Sequence, residues 1–214
     1  MIIDLSHVIE PGMPTYPGVP APKLSEFLKH GDKNPRYAPG VSFQMGTYDM
    51  GGNTGTYVDS PFHRFAEGAD LAALPLERLA DLPGVLIGAH DEGAIGPETF
   101  RSFELRGKAV LLYTGWSRHW GGDYFRSGPY LSGAACDALV TAGVALVGID
   151  CANIDNMKDP TRPAHTRLLA AGIPIVEHLA NLNALAGQGF RFSAVPPAIR
   201  GGTSFPVRAF AVCD

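Results

Sequence analysis

Asn53-Thr54-Gly55-Thr56-Tyr57-Val58-Asp59-Ser60-Pro61-Phe62-His63-Arg64 is the stretch on which the reading of this chain turns. Thr and Val recur at strand-like spacing ahead of Pro61, so the segment reads as a strand and its exit. A carboxylate, Asp59, and an imidazole, His63, then meet at a proline-defined turn, where side chains can converge on one pocket. Taken alone, the pair has a plainer explanation in which Asp59 caps the turn and His63 is a hydrogen-bonded buried histidine.

Two later blocks add polar groups: Pro163-Ala164-His165-Thr166-Arg167-Leu168-Leu169 and Ile175-Val176-Glu177-His178-Leu179-Ala180-Asn181-Leu182. With Ser6-His7, Gly12-Met13-Pro14, Tyr16-Pro17-Gly18, Thr114-Gly115-Trp116, Gly148-Ile149-Asp150 and Phe205-Pro206-Val207-Arg208, they stand in the order of the blocks of a known family. The chain resembles the cyclase family, which includes bacterial kynurenine formamidases and isatin hydrolases. The family hallmark reads His-x-Gly-Thr-His-x-Asp-x-Pro-x-His, and here Asn53 and Tyr57 replace its first two histidines. The resemblance implies an α/β chain with the three-layer β/β/α swivelling fold. It also implies hydrolysis of a small amide, formamide or lactone, N-formylkynurenine being the family's best-known substrate.

In that family the signature and the later His and Glu ligate a pair of divalent cations, often zinc or manganese. Carried over residue by residue, Asp59, His165 and Glu177 are the metal ligands that survive. Asparagine offers only a carbonyl oxygen, and tyrosine must lose a proton of pKa about 10, so neither replaces imidazole well and a dinuclear site is not expected. Three arrangements remain open. One divalent cation (zinc or manganese) on Asp59, His165 and Glu177 keeps open positions for water and substrate, with His63 or Glu177 as the catalytic acid/base. Alternatively the site is metal-free, Asn53 and Tyr57 donating to an oxyanion while His63 and Glu177 activate water. In the third, the scaffold is a non-catalytic small-molecule binding or regulatory protein.

Other residues carry secondary expectations. Arg64 suits a substrate carboxylate or a structural ion pair. Trp116, Trp120, Tyr124, Phe125 and Tyr130 form an aromatic segment that suits either a substrate pocket, Trp116 foremost, or packing. Glu177 and His178 on one strand face opposite ways, and Glu177 is the one expected in the site. His7 resembles a family position near the pocket, or else makes a local hydrogen bond; His30, His90 and His119 are expected at the surface.

The 214 residues suit a single domain over 1–214, with ordinary apolar (45%) and charged (18%) fractions. The net charge of −4 and the lack of a Lys/Arg cluster argue against nucleic acid as a partner. No segment approaches the roughly 20 apolar residues of a membrane span, and the N-terminal acid Asp4 is unlike a signal peptide, so a cytoplasmic protein with a small-molecule substrate is expected. Cys136, Cys151 and Cys213 lack metal or redox spacing and read as buried thiols, Cys151 being the one with any prospect as a nucleophile. The family habit of forming homodimers or larger homo-oligomers is expected here too.

Gly (26) and Pro (18) are spread between short apolar runs, which marks many turns. Strands are expected at Ile2 to Leu5, Val41 to Asp49, Asn53 to Asp59, Gly84 to Ile87, Ala109 to Tyr113, Ala145 to Ile149, Ile173 to Val176 and Phe205 to Val212. Helices are expected over Ser132 to Ala142, closed by Gly143, and over Thr161 to Ala171, closed by Gly172. Leu179 to Ala186 is ambiguous, and the prolines of Pro11 to Gly18 forbid regular structure there.

Overall fold

The computed structural model describes residues 1–89 and 93–214; His90 lies outside them. The strands are β1 (Ile2–Asp4), β2 (Lys23–Leu28), β3 (Met45–Asp49), β4 (Tyr57–Asp59), β5 (Leu82–Gly88), β6 (Ala94–Ile95) and β7 (Ala109–Tyr113). They continue as β8 (Tyr130–Leu131), β9 (Leu146–Ile149), β10 (Ile175–Glu177), β11 (Phe190–Ser193), β12 (Ser204–Pro206) and β13 (Phe210–Cys213). Two α-helices, α1 (Gly133–Ala142) and α2 (Pro163–Ala170), lie among them.

Nine strands form one sheet in the order β1-β13-β11-β5-β7-β9-β10-β4-β12. Its centre is parallel, β5 to β7 to β9 to β10, and its flanks are antiparallel. The central runs are apolar without alternation because both faces are covered. Ala109 and Leu111 of β7 enter one core, and Val110 and Leu112 enter another.

The sheet curls, and the chain's own length requires it. β12 sits at one end of the strand order, yet β13, three residues later, sits near the other end. At roughly 3.3–3.6 Å per residue such a link reaches only neighbouring strands, so the two ends must approach each other. Accordingly Phe190, Phe192, Ala211 and Cys213 from one end share a core with Val58 and Val176 from the other. The opposite core holds Ala135, Leu139, Leu168 and Leu169 of the two helices against Val110, Val147, Ile149 and Ile175. Two β layers and one α layer result, the three-layer α/β fold that the resemblance implies.

Local structure follows the expected signals with some corrections. Ser132 caps α1 by accepting the Ala135 N–H at 3.2 Å, and Gly143 ends it at φ 71°. The second helix starts at Pro163 because Arg162 takes a left-handed φ of 47°. The strand expected over Asn53 to Asp59 is only Tyr57–Asp59, since Gly55 at φ 62° turns the chain before it. The strand expected over Phe205 to Val212 is split in two by the passage between sheet ends. The ambiguous segment forms a short 3₁₀ turn at Leu182–Leu185. The hairpin of β2 with β3 leaves Phe27 and Tyr48 exposed, so β2 has no buried face to print an alternation on the sequence. Among the described residues no helix is long and apolar enough to cross a membrane.

Candidate active site

The site grows from strand alternation. Val58 points into the two-sheet core, so Tyr57 and Asp59 must both point to the opposite face of β4. The antiparallel register sets Tyr57 opposite Glu177 of β10 and Asp59 opposite Ser204 of β12. Val176 enters the same core as Val58, which turns Glu177 toward Tyr57 and Asp59. All four of these polar residues are buried, and each must find partners there.

Glu177 finds two. The Tyr57 hydroxyl donates to its Oε2, and the Ile154 N–H donates to its Oε1 at 2.6 Å. Burial pushes the Glu177 carboxyl up to about 7; the nearby His165 pulls it down, and Asp59 raises it further. Burial and the neighbouring carboxylates push the Tyr57 hydroxyl well above its ordinary value, so it stays a donor.

Asp59 is served on one oxygen only. Ser204 Oγ donates to Oδ1, and Asn53 Nδ2 stands 3.4 Å from the same atom. Buried Oδ2 has no hydrogen-bond partner, with His165 Nε2 3.7 Å away. Burial opposes the Asp59 charge, but the His165 and His63 imidazoles and the Ser204 hydroxyl hold its carboxyl below the usual value.

His165 stands in the first turn of α2, and its orientation is fixed by Asp155. One Asp155 oxygen accepts the Ala164 N–H at 2.6 Å; the other takes the His165 N–H at 3.2 Å and the ring Nδ1 at 2.6 Å. That leaves Nε2 facing Asp59 and, at 3.9 Å, Glu177 Oε1. Burial works against a charge on this ring, but the hydrogen bond to Asp155 and the nearby Asp59 and Glu177 carboxylates push it up to about 10. His63 Nδ1 lies 3.1 Å from Ser204 Oγ. The Ser204 proton is given to Asp59, so the serine accepts from Nδ1–H and Nε2 of His63 keeps its lone pair.

Asp59, His63 and His165 each offer a ligand atom, all within 4.8 Å of one another. The donor set of one carboxylate and two imidazoles, with an orphaned carboxylate oxygen at its centre and a carboxylate-held histidine, fits one divalent cation. Glu177, expected as a ligand, is not in this group, and its oxygens accept hydrogen bonds from Tyr57 and Ile154; His63, expected as the acid/base, is in it.

A cavity of about 270 Å³ opens on the group, lined by Asn53, Tyr57, His63, Glu177 and His165 together with Tyr16, Val19, Arg64, Asn153 and Arg162. Arg64 reaches it with Nε on Thr166 Oγ1 at 3.2 Å. Trp116, expected at the substrate, is not among the lining residues. Its indole Nε1 donates to the Tyr124 carbonyl at 3.1 Å and its ring packs on His119. Trp120, Tyr124 and Phe125 gather round His178, and Trp120 stacks on His7. His178 lies just past the end of β10 at a left-handed φ of 57°, so its position off the site comes from this turn and not from strand alternation; its ring sits between the Gly55 and Ala152 carbonyls. All three cysteines are free and buried, and burial pushes the Cys151 thiol up, against a nucleophilic role.

Asp155, Ser204 and Arg162 went unforeseen as site residues. Asp155 acts on a helix that starts eight positions later, and Ser204 meets Asp59 only through strand pairing. Neither relation leaves a local pattern.

The cyclase family profile matches residues 3–156. Kynurenine formamidase of Geobacillus thermodenitrificans is 29% identical over 210 residues, covering 97% of this chain and 95% of its own. Kynurenine formamidase of Bacillus cereus is 27% identical over 207 residues, with the same coverage. Isatin hydrolase A of Labrenzia aggregata, solved with benzyl benzoate, superposes with a TM-score of 0.85 over 99% of this chain and 93% of its own, at 24% identity. A structure described as a potential metal-dependent hydrolase with cyclase activity superposes with a TM-score of 0.81 over 99% of this chain and 96% of its own, also at 24% identity. By its sequence profile, supported by curled-sheet architecture and the order of its polar blocks, the chain belongs to the cyclase family.

Proposed function

We propose that this chain is a hydrolase of a small amide, formamide or lactone that works with one divalent cation, zinc or manganese, held by Asp59, His63 and His165. The observation that carries the reading is the buried Asp59 Oδ2, left without a hydrogen bond beside His165 Nε2. An unpaired buried carboxylate oxygen is costly, and a cation is the partner that its surroundings suit. The kynurenine formamidase relatives support a C–N substrate, and an N-formylkynurenine-like compound is among the candidates.

A cation bound there supplies Lewis acidity, lowering the pKa of water toward roughly 7. The remaining work belongs to the chain. Asp155 holds His165 with Nε2 presented inward, and Ser204 holds Asp59 and His63 together. Glu177 lines the cavity and takes the proton of the attacking water, then delivers it to the leaving nitrogen or oxygen, a task suited to a carboxyl tuned near neutrality. Tyr57 fixes the Glu177 carboxyl in place by its hydrogen bond.

The metal-free alternative needs Asn53 and Tyr57 as oxyanion donors. Tyr57 instead gives its proton to Glu177, and Asn53 faces Asp59, which favours the cation. For quaternary structure we propose self-association through the exposed hairpin, whose Phe27 and Tyr48 suit a second copy of this chain; sedimentation of a Phe27→Ser, Tyr48→Ser variant tests it.

The test of function is a formamide, amide and lactone hydrolysis screen run with metal analysis. Turnover that is lost on chelation and restored by zinc or manganese is expected, with His165→Gln losing the cation and Glu177→Gln keeping it. Turnover that survives complete chelation supports the metal-free alternative. Absence of turnover across the screen, with a small molecule still bound, supports a binding protein.

A further inference from the structure

Arg162 is buried at Nη1, and that nitrogen has no hydrogen-bond partner. The residue stands at a left-handed φ of 47° directly before Pro163, a conformation that a bulky side chain rarely keeps without a reason in the surrounding structure. It lines the same cavity as Arg64. Arg64 uses Nε on Thr166, and no other hydrogen bond of its guanidinium is found among the described residues. Neither arginine has a carboxylate within ion-pair distance there. The acid in the same loop, Asp159, spends its Oδ1 on the Thr161 N–H and hydroxyl at 2.9 and 2.6 Å. The cavity wall therefore carries two guanidinium groups without a carboxylate at ion-pair distance, Asp159 being near enough only for the Arg162 charge to lower its pKa, and it shares its lining with Tyr16, Val19 and the Glu177 carboxyl.

We propose that the cavity selects small molecules bearing a carboxylate, which Arg162 and Arg64 hold while a ring or short chain lies against Tyr16 and Val19. Guanidinium forks match carboxylates in geometry and charge, and an unpaired buried one is a preformed half of that contact. A volume of about 270 Å³ suits a single-ring molecule. The carboxylate site stands on these residues alone; that the reacting bond lies toward Asp59, His63 and His165 rests on the hydrolytic reading above.

Two measurements separate the claims. Calorimetric titration with benzoate and benzamide reads the carboxylate contact without turnover; kinetics with 4-formamidobenzoate and formanilide read it during hydrolysis. Benzoate is expected to bind at least roughly tenfold tighter than benzamide. Arg162→Gln should erase that preference and raise KM for 4-formamidobenzoate at least roughly tenfold more than for formanilide, and Arg162→Lys should restore part of it. Circular dichroism and unfolding of each variant guard against misfolding, and Arg64→Gln provides an independent variant should Arg162→Gln fail to fold. Arg162-dependent benzoate binding without hydrolysis of either formamide would sustain the carboxylate site and sink the hydrolytic reading. Equal binding of benzoate and benzamide, or a benzoate preference untouched by either arginine substitution, would overturn the inference.

Discussion

The Tyr57 hydroxyl donates to Glu177 Oε2 across the antiparallel pair that sets these two residues directly opposite each other. Tyrosine occupies a signature histidine position and there holds a carboxylate. The same contact orients the proposed proton carrier and closes off one side of the polar group.

Removing that hydroxyl strands a buried carboxyl oxygen. Tyr57→Phe keeps the ring, including its edge contact with His178 at 4.9 Å, and deletes only the donor. The variant is expected to lose about 1–3 kcal/mol in denaturant unfolding. An unfolding midpoint and slope equal to those of the parent would show that the bond contributes nothing.

The metal-free protein should lose stability as pH rises above neutrality. His165 is pushed up to about 10 in the fold against 6.5 as a free group, so its contribution is complete below pH 6.5 and disappears as pH rises through 10. His7 and His178, both lowered to about 4 by burial, act the opposite way below pH 6.5 and complicate that range. Thermal melts in chelator from pH 7 to 9 measure the loss; Glu177, pushed up to about 7, and the buried Cys136 and Cys151 thiols, pushed up from their ordinary values, add slopes of the same sign there, so His165 is read from the difference between the parent and Asp155→Asn. Asp155→Asn, which removes the charged partner of the ring, should flatten the slope; an unchanged slope would contradict the assignment.

Gly52 is fixed by the site. A Cβ there would lie 2.4 Å from the Ser204 carbonyl oxygen, a backbone atom that has to move. Gly52→Ala is therefore expected to displace Ser204 from Asp59 and His63, weakening cation binding by roughly tenfold or more. Calorimetry of the cation checks this, and parental affinity in the folded variant would count against Ser204 as organiser.

Glu177→Gln should remove proton transfer while sparing the cation. A fall in kcat of roughly 10²- to 10⁴-fold is expected, at unchanged metal content. Loss of the cation instead would move Glu177 into the ligand set and His63 back to the acid/base role.

The sheet's centre was legible because continuous apolar runs such as Ala109 to Tyr113 have little choice but burial on both faces. Its curl was not, since it depends on β12 and β13 lying at opposite ends of one sheet. In the site, Asp59, His63, His165 and Glu177 were legible as residues, but their division of labour was not. That division depends on which lone pairs Ser204, Asp155 and Ile154 have already engaged. Trp116 illustrates the reverse: an aromatic beside a family block suggests a pocket, yet its indole N–H is spent on the Tyr124 carbonyl.

The central claim is that Asn53 and Tyr57 leave room for one cation where a pair of histidines would recruit two. Native mass spectrometry of the protein equilibrated with zinc or manganese tests it directly, beside the Asn53→His, Tyr57→His double variant. One cation per chain in the parent and two in the double variant is the predicted result. Two in the parent, or none in the parent at saturating metal, would contradict it.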